Sequence, residues 1–208
     1  MKKLKIAAMT YVFVLGLIMG AMAQNPGYKT GDIATDFKLK SVDATWVSLP
    51  NQADAKGAIV IFACNTCPYV VAYEDRMIDL HKKYAPKGYP VIAINANDDE
   101  VSPGDSFEKM KKRAKSKKFP FAYVHDQTQE VIKAYGGSRT PTVYLLHKEG
   151  NDFVVKYIGA IDNNYQDPNG VTEKYVEEAL EDVMNGRKVA VESTKAIGCT
   201  IKWAKKAE

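Results

Sequence analysis

The sequence predicts an α/β domain with a mixed central sheet flanked by helices and an N-terminal β-hairpin. Three observations carry this. "GAIVIFAC" (57–64) and "YPVIAINAN" (89–97) are continuous apolar runs with β-branched residues, the pattern of strands buried on both faces of a parallel sheet. Helical patterns separate these runs from each other and from the short strand "FAYVHD", and strands alternating with helices imply a parallel core. The later stretch "TPTVYLLHKEGNDFVVKYIGAI" reads as an antiparallel hairpin turning at Glu149-Gly150-Asn151, which makes the sheet mixed.

Ahead of these elements, the 208-residue chain opens on Lys2, Lys3 and Lys5, a mostly apolar run from Ile6 to Met19, and the small-residue pattern Ala21-Met22-Ala23. Residues 1–23 therefore read as a secretory signal peptide cut before Gln24. The apolar run is shorter than the roughly 20 residues a membrane span needs. The expected product is exported, periplasmic or extracellular, with no stable membrane span after cleavage. Residues 24–208 read as a single domain of 185 residues, enough for a core of its own. Removing the leader takes the formal charge from +4 to +1, with 26 Lys+Arg against 25 Asp+Glu. The basic balance thus belongs largely to the leader, and charge gives no case for a nucleic-acid partner.

Within the domain, residues 24–35 are polar with Gly and Pro and read as an extended lead-in. "DFKLKSVDATWVSL" alternates around a turn at Asp43-Ala44, a hairpin signature. A long helix follows Cys64, with Val70, Val71, Met77, Ile78, His81, Tyr84 and Ala85 at helical spacing and Gly88 as its stop. "SFEKMKKRAKSKK" is a helix with a thin apolar face, and "QEVIKAYGG" is a short helix ended by Gly136-Gly137. "GVTEKYVEEALEDVMNG" is amphipathic, with Val176, Ala179, Leu180 and Val183 on one stripe. The tail 187–208 gives no clear element signal.

The chain has 3 cysteines, Cys64, Cys67 and Cys199, too few for a disulfide scaffold. Cys64 falls at the carboxyl end of a buried strand and the start of a helix, the edge where sites gather in open α/β sheets. Pro68 suits a first helical turn. A helix start carries unpaired N–H groups and partial positive charge, which favour a thiolate, and the thiolate is the nucleophile. Cys64 attacking a substrate disulfide would form a mixed disulfide, which Cys67 would resolve. A closed, inert disulfide is the structural alternative. Zinc takes about four ligands. Cys64 and Cys67 supply two, and Cys199, His81, His125 and His147 offer no second pair at ligand spacing, so neither metal nor cofactor is expected. Thr140-Pro141 precedes a strand, where a residue without an N–H is tolerated.

Several further features have plain readings. "KMKKRAKSKK" (109–118) holds seven basic residues in ten and reads as a solvated helix face. "NANDDE" (95–100) follows a strand at the expected active edge and reads as a polar loop with turn-forming residues that would border a substrate groove. His81 reads as packed or half-exposed, His125 as a loop hydrogen-bonder, and His147 as exposed. Cys199 is compatible with a small buried apolar side chain, a third redox thiol or an intermolecular bridge.

"GDIATDFKLKSVDATWVSL", "FACNTCPYVVAYEDRM", "VIAINAND", "KFPFAYVHDQTQEVIKAYGGSRTP", "YIGAIDNN" and "IGCTIKW" together resemble the redoxin group of the thioredoxin-like superfamily. That group holds the alkyl hydroperoxide reductase / thiol-specific antioxidant proteins. The chain looks most like thioredoxin-family members carrying Cys-x-x-Cys-Pro-Tyr, over roughly residues 31–203. The resemblance implies a thioredoxin-like fold, Cys64 as nucleophile, Cys67 as resolving thiol and a redox-active Cys64–Cys67 disulfide. It also implies Pro141 as a cis-proline facing the pair, and the Thr140 backbone as the edge on which a substrate strand pairs.

Departures qualify the resemblance. Thioredoxins usually carry Trp before the first Cys and Gly-Pro between the two, where this chain has Ala63 and Asn65-Thr66. The buried acid that thioredoxin keeps six residues before its first Cys is replaced by Ala58, which leaves Glu74 as the substitute proton acceptor. Peroxiredoxins place Pro and Thr seven and three residues before their reactive Cys, where this chain has Gly57 and Ile61. The reading is an exported thiol-disulfide oxidoreductase acting on protein or small-molecule thiol/disulfide substrates, with an unidentified electron donor or acceptor. A thiol peroxidase is the first alternative. A copper- or zinc-binding thioredoxin-like protein, of a kind that uses a longer Cys spacing, is the second.

Overall fold

Strands made almost wholly of apolar side chains settle where both edges and both faces are covered. In the computed structural model, which describes residues 27–49 and 55–205, β3 (Gly57–Phe62) and β4 (Val91–Asn95) are buried at every residue and pair in parallel at the sheet centre. The leader predicted at 1–23 lies outside the described residues. Parallel β5 (Ala122–His125) flanks β4, and the hairpin of β1 (Leu39–Ser41) and β2 (Trp46–Val47) closes that edge antiparallel. Ala44 makes the predicted turn with φ 70°. On the other side, β7 (Thr142–Glu149) runs antiparallel to β3, and β8 (Asp152–Gly159) pairs with β7. The order β2-β1-β5-β4-β3-β7-β8 is the predicted mixed sheet.

The side-chain period of two divides the core between the sheet faces. Ile59, Ile61, Val91 and Ala93 join the cluster built with α1 (Pro68–Tyr84), α2 (Phe107–Lys117) and α4 (Tyr175–Met184). Ala58, Val60, Phe62, Ile92 and Ile94 join the cluster built with α3 (Glu130–Tyr135) and the N-terminal segment through Ala34, Phe37 and Leu49. Among the described residues, no helix is long and apolar enough to cross a membrane.

α1 buries Val70, Tyr73, Glu74, Met77, Leu80 and Tyr84, a stripe at i, i+3, i+4 and i+7. Val71, placed on this stripe by the sequence pattern, is instead exposed, because one residue further on turns the side chain about 100° around the axis. Gly88 ends the segment at φ 92° after a 3₁₀ turn over Ala85–Lys87. α4 buries Val176, Ala179, Leu180 and Val183 as its spacing predicts. α2 fully buries only Met110.

Residues 187–205, which carry no element signal in the sequence, pack into the fold. Val189 enters the first core cluster, and Ser193 bridges to Ile158 of β8. β9 (Cys199–Thr200) pairs antiparallel with the two-residue β6 (Arg139–Thr140). Ile201 is buried against the second core cluster.

Candidate active site

The buried strand β3 ends at Phe62, and the chain leaves the sheet through Ala63 to place Cys64 beneath the start of α1. Cys67 is the N-cap of α1, in extended conformation, with Pro68 in the first turn where its missing N–H costs little. Cys64 and Cys67 are each 2% exposed, and both are free thiols, as is half-exposed Cys199.

The Thr140–Pro141 bond is cis and lies against this pair. The Cys64 sulfur is 3.3 Å from Thr140 Oγ1, and the Cys67 thiol donates to the Thr140 carbonyl at 3.2 Å. One residue thus touches both sulfurs, through its side chain and its main chain. The structure brings Cys64, Cys67, Thr140 and Pro141 together from two segments more than seventy residues apart.

Their surroundings push the two thiols in opposite directions. Hydrogen bonding to Cys67, then burial, then the negative charge of Asp105 hold Cys64 well above the usual thiol range, against a lowering contact from Thr140. Cys67 is drawn down, first by the Cys64 thiol and further by Cys199 and the amide of Val70, against the effect of burial. The helix start was expected to favour a thiolate at Cys64. In the structure Cys67, and not Cys64, occupies the helix cap, and Cys64 feels the negative charge of a buried carboxylate.

That carboxylate is Asp105, which sequence reasoning missed. It is fully buried and accepts five hydrogen bonds: from the Asn65 amide at 2.7 Å, the Thr66 amide at 3.1 Å, Thr66 Oγ1 at 2.8 Å, Asn97 Nδ2 at 2.8 Å and Ser102 Oγ at 2.7 Å. Asn65 adds a bond from Nδ2 to the Gly104 carbonyl and accepts one from Tyr123. The dipeptide between the cysteines is thereby clamped from 40 residues away. "SPGD" reads in one dimension only as a turn, so the sole available signal was an Asp with no assigned role.

Glu74, named as the substitute for the missing buried acid, is already committed. It is 2% exposed and binds Arg113 at 2.6 and 2.8 Å and Lys117 at 3.0 Å, both from α2. Two residues of the basic run 109–118 are consumed in this way rather than solvated. Asn95 and Asn97 of "NANDDE" are buried supports: Asn95 Nδ2 donates to the Asp105 carbonyl, and Asn97 Oδ1 accepts from the Lys202 amide. His147 is half-buried and bonds to the Tyr89 hydroxyl at 2.8 Å, so its exposed reading is corrected by that contact. His81 accepts from the Val91 amide, and His125 stacks on Phe107 with Nε2 3.3 Å from Asp99. Among the described residues, no group of three or more His, Cys, Asp and Glu is arranged to hold a metal ion.

One implied role changes. A substrate strand was expected on the Thr140 backbone, but that position is taken by β9, with Thr140 in register with Cys199. β9 thus occupies the side of β6 with which it pairs, where an incoming peptide strand would otherwise add.

The AhpC/TSA family model matches residues 30–157. The thiol-disulfide oxidoreductase ResA of Halalkalibacterium halodurans is 27% identical over 153 residues, covering 74% of this chain and 76% of that protein. A conserved protein from Geobacillus kaustophilus superposes with TM-score 0.77 at 37% identity, over 86% of this chain and 94% of the other. A thiol:disulfide interchange protein of the thioredoxin family from Chlorobium tepidum superposes with TM-score 0.53 at 18% identity, over 68% and 93% of the two chains. The fold is thioredoxin-like.

Proposed function

The chain belongs to the AhpC/TSA family, and from that premise we propose that it is an exported thiol-disulfide oxidoreductase whose exchanging pair is Cys64 and Cys67. The observation that carries this is the convergence of both sulfurs on Thr140, at 3.3 and 3.2 Å, in front of a cis-proline. The name of the Halalkalibacterium relative supports it, and the basic and apolar leader at 1–23 supports export.

In the reducing direction, the Cys64 proton passes to its hydrogen-bonded neighbour Cys67, which is the nearest base. The Cys64 sulfur attacks one sulfur of a substrate disulfide, and the other leaves as a thiolate. Cys67 then gives its proton to that departing thiolate and attacks Cys64, releasing the second substrate thiolate and leaving the Cys64–Cys67 disulfide. In the oxidising direction the same steps run backwards. With β9 on Thr140, the substrates that fit are small disulfides, or proteins that offer a cysteine from a loop and not from an extended strand. Thr140 acts through its hydroxyl, and Pro141 forms the wall beside the pair.

Replacing Cys67 with Ser is expected to trap a covalent adduct on Cys64 when the protein is mixed with a model disulfide such as oxidised glutathione. Intact-mass and peptide analysis would detect it. Adducts on Cys67 in a Cys64→Ser protein, with none on Cys64 in the reciprocal variant, would reverse the assignment. No exchange by either thiol would end the proposal.

A thiol peroxidase is the second reading, favoured by the Thr140 hydroxyl beside Cys64 and by the family. Ile61 stands where a peroxide-positioning Thr would be, and it is fully buried with no hydroxyl to offer. Peroxide consumption with a thiol reductant decides between them.

A further inference from the structure

Cys199 is brought to the redox pair by the tail and is held there by several independent contacts. Its backbone is in register with Thr140, the residue that touches both Cys64 and Cys67. Its side chain packs against the core cluster that contains those two cysteines. The approach is close enough that a Cβ on Gly198 would lie 1.9 Å from the Thr140 carbonyl oxygen, so only glycine fits. Arg139 Nη1 donates to the Gly198 carbonyl at 2.8 Å, and the Ile201 amide donates to Ser138 at 3.1 Å. Beyond them, the Lys202 amide donates to Asn97 Oδ1 at 2.9 Å. The strap is therefore anchored on both sides of Cys199.

We propose that Cys199 is a third redox thiol, which exchanges with the Cys64–Cys67 disulfide to give a Cys67–Cys199 disulfide and a free Cys64. The inference rests on the exchange reading above. Deprotonated Cys199 attacks the Cys67 sulfur. The Cys67–Cys199 bond forms, the Cys64–Cys67 bond breaks, and the electron pair leaves on Cys64, which takes up a proton. One disulfide replaces another, so there is no net oxidation. Burial and the neighbouring Cys67 raise the Cys199 thiol to about 11 in the reduced protein. The influence of Cys67 vanishes when its sulfur is in a disulfide, so Cys199 becomes more reactive when its partner is oxidised. The product carries its disulfide to a half-exposed edge, where an external dithiol reductant can reach it, and leaves Cys64 reduced.

The test is disulfide mapping of the purified protein after oxidation with one equivalent of diamide, acid quench and N-ethylmaleimide labelling. Two oxidised species are expected. One has Cys64 joined to Cys67 and Cys199 labelled. The other has Cys67 joined to Cys199, with loss of label from Cys199 and gain on Cys64. A Cys64→Ser protein, checked for folding by circular dichroism, is expected to form Cys67–Cys199 as its product. A wild-type map showing Cys64–Cys67 alone overturns the inference and leaves the exchange reading standing, as does a Cys199–Cys199 dimer alongside that bond. A map with neither the Cys64–Cys67 nor the Cys67–Cys199 bond overturns the exchange reading itself. The wild-type map decides even where the Ser variant does not fold.

Discussion

Thr140 and Asp105 divide the work of holding the two cysteines. Thr140 meets the sulfurs, while Asp105 meets the backbone between them. Removing the charge at Asp105 tests that division. In Asp105→Asn the Coulombic contribution that raises Cys64 is lost, so the alkylation profile of Cys64 is expected to move to lower pH. The asparagine amide also turns an N–H₂ toward donors that had an oxygen, a mismatch worth about 1–3 kcal/mol of stability by urea unfolding. An unshifted alkylation profile in a destabilised protein would make Asp105 a purely structural clamp. At this scale the sequence showed the two thiols through their own chemistry, and Thr140 and Pro141 through the family resemblance. It showed neither Asp105 nor the engagement of Glu74, because a carboxylate's role depends on which donors the fold brings to it.

Among the elements, the helices and strands with strong periodicity were readable and the tail was not. α4 buries the predicted stripe because that stripe is set within one helix. β9 has two residues and no period of its own; it exists because Arg139 and Thr140 offer an edge and Gly198 permits close approach. Gly198→Ala is therefore expected to lift the strap from Thr140, at about 1–3 kcal/mol for the forced displacement. Faster labelling of Cys64 and Cys67 by N-ethylmaleimide in the folded protein would report it. Labelling rates equal to wild type would show that β9 does not shield the pair. The same substitution would open Thr140 to an extended peptide substrate.

Across the whole molecule, buried tyrosines tie stability to alkaline pH. Burial, the largest cause for each, raises Tyr89 to about 12 and, with the nearby Glu177 charge, Tyr84 to about 12, while Tyr73, Tyr144 and Tyr157 are raised further. The folded chain keeps these protons after the unfolded chain, with phenols near 10, has lost them. Their contribution is thus fully present below pH 10 and declines as pH rises through 12. The urea midpoint is expected to fall between pH 8 and pH 11. A constant midpoint would mean that these hydroxyls ionise as readily in the folded protein. The same burial explains what was legible in one dimension. Hydrophobic period, strand–helix alternation and the Cys-x-x-Cys spacing are properties of neighbours along the chain, and they sufficed for the fold class, the sheet order's parallel centre and the cysteine pair. The groups that surround each thiol of that pair, and the strand that covers Thr140 and brings Cys199 near it, come from residues 40 to more than 100 positions apart. Only packing puts Asp105 and β9 beside the cysteines, because the energies involved, Coulombic, hydrogen-bonding and steric, depend on distance in space and not on distance in sequence.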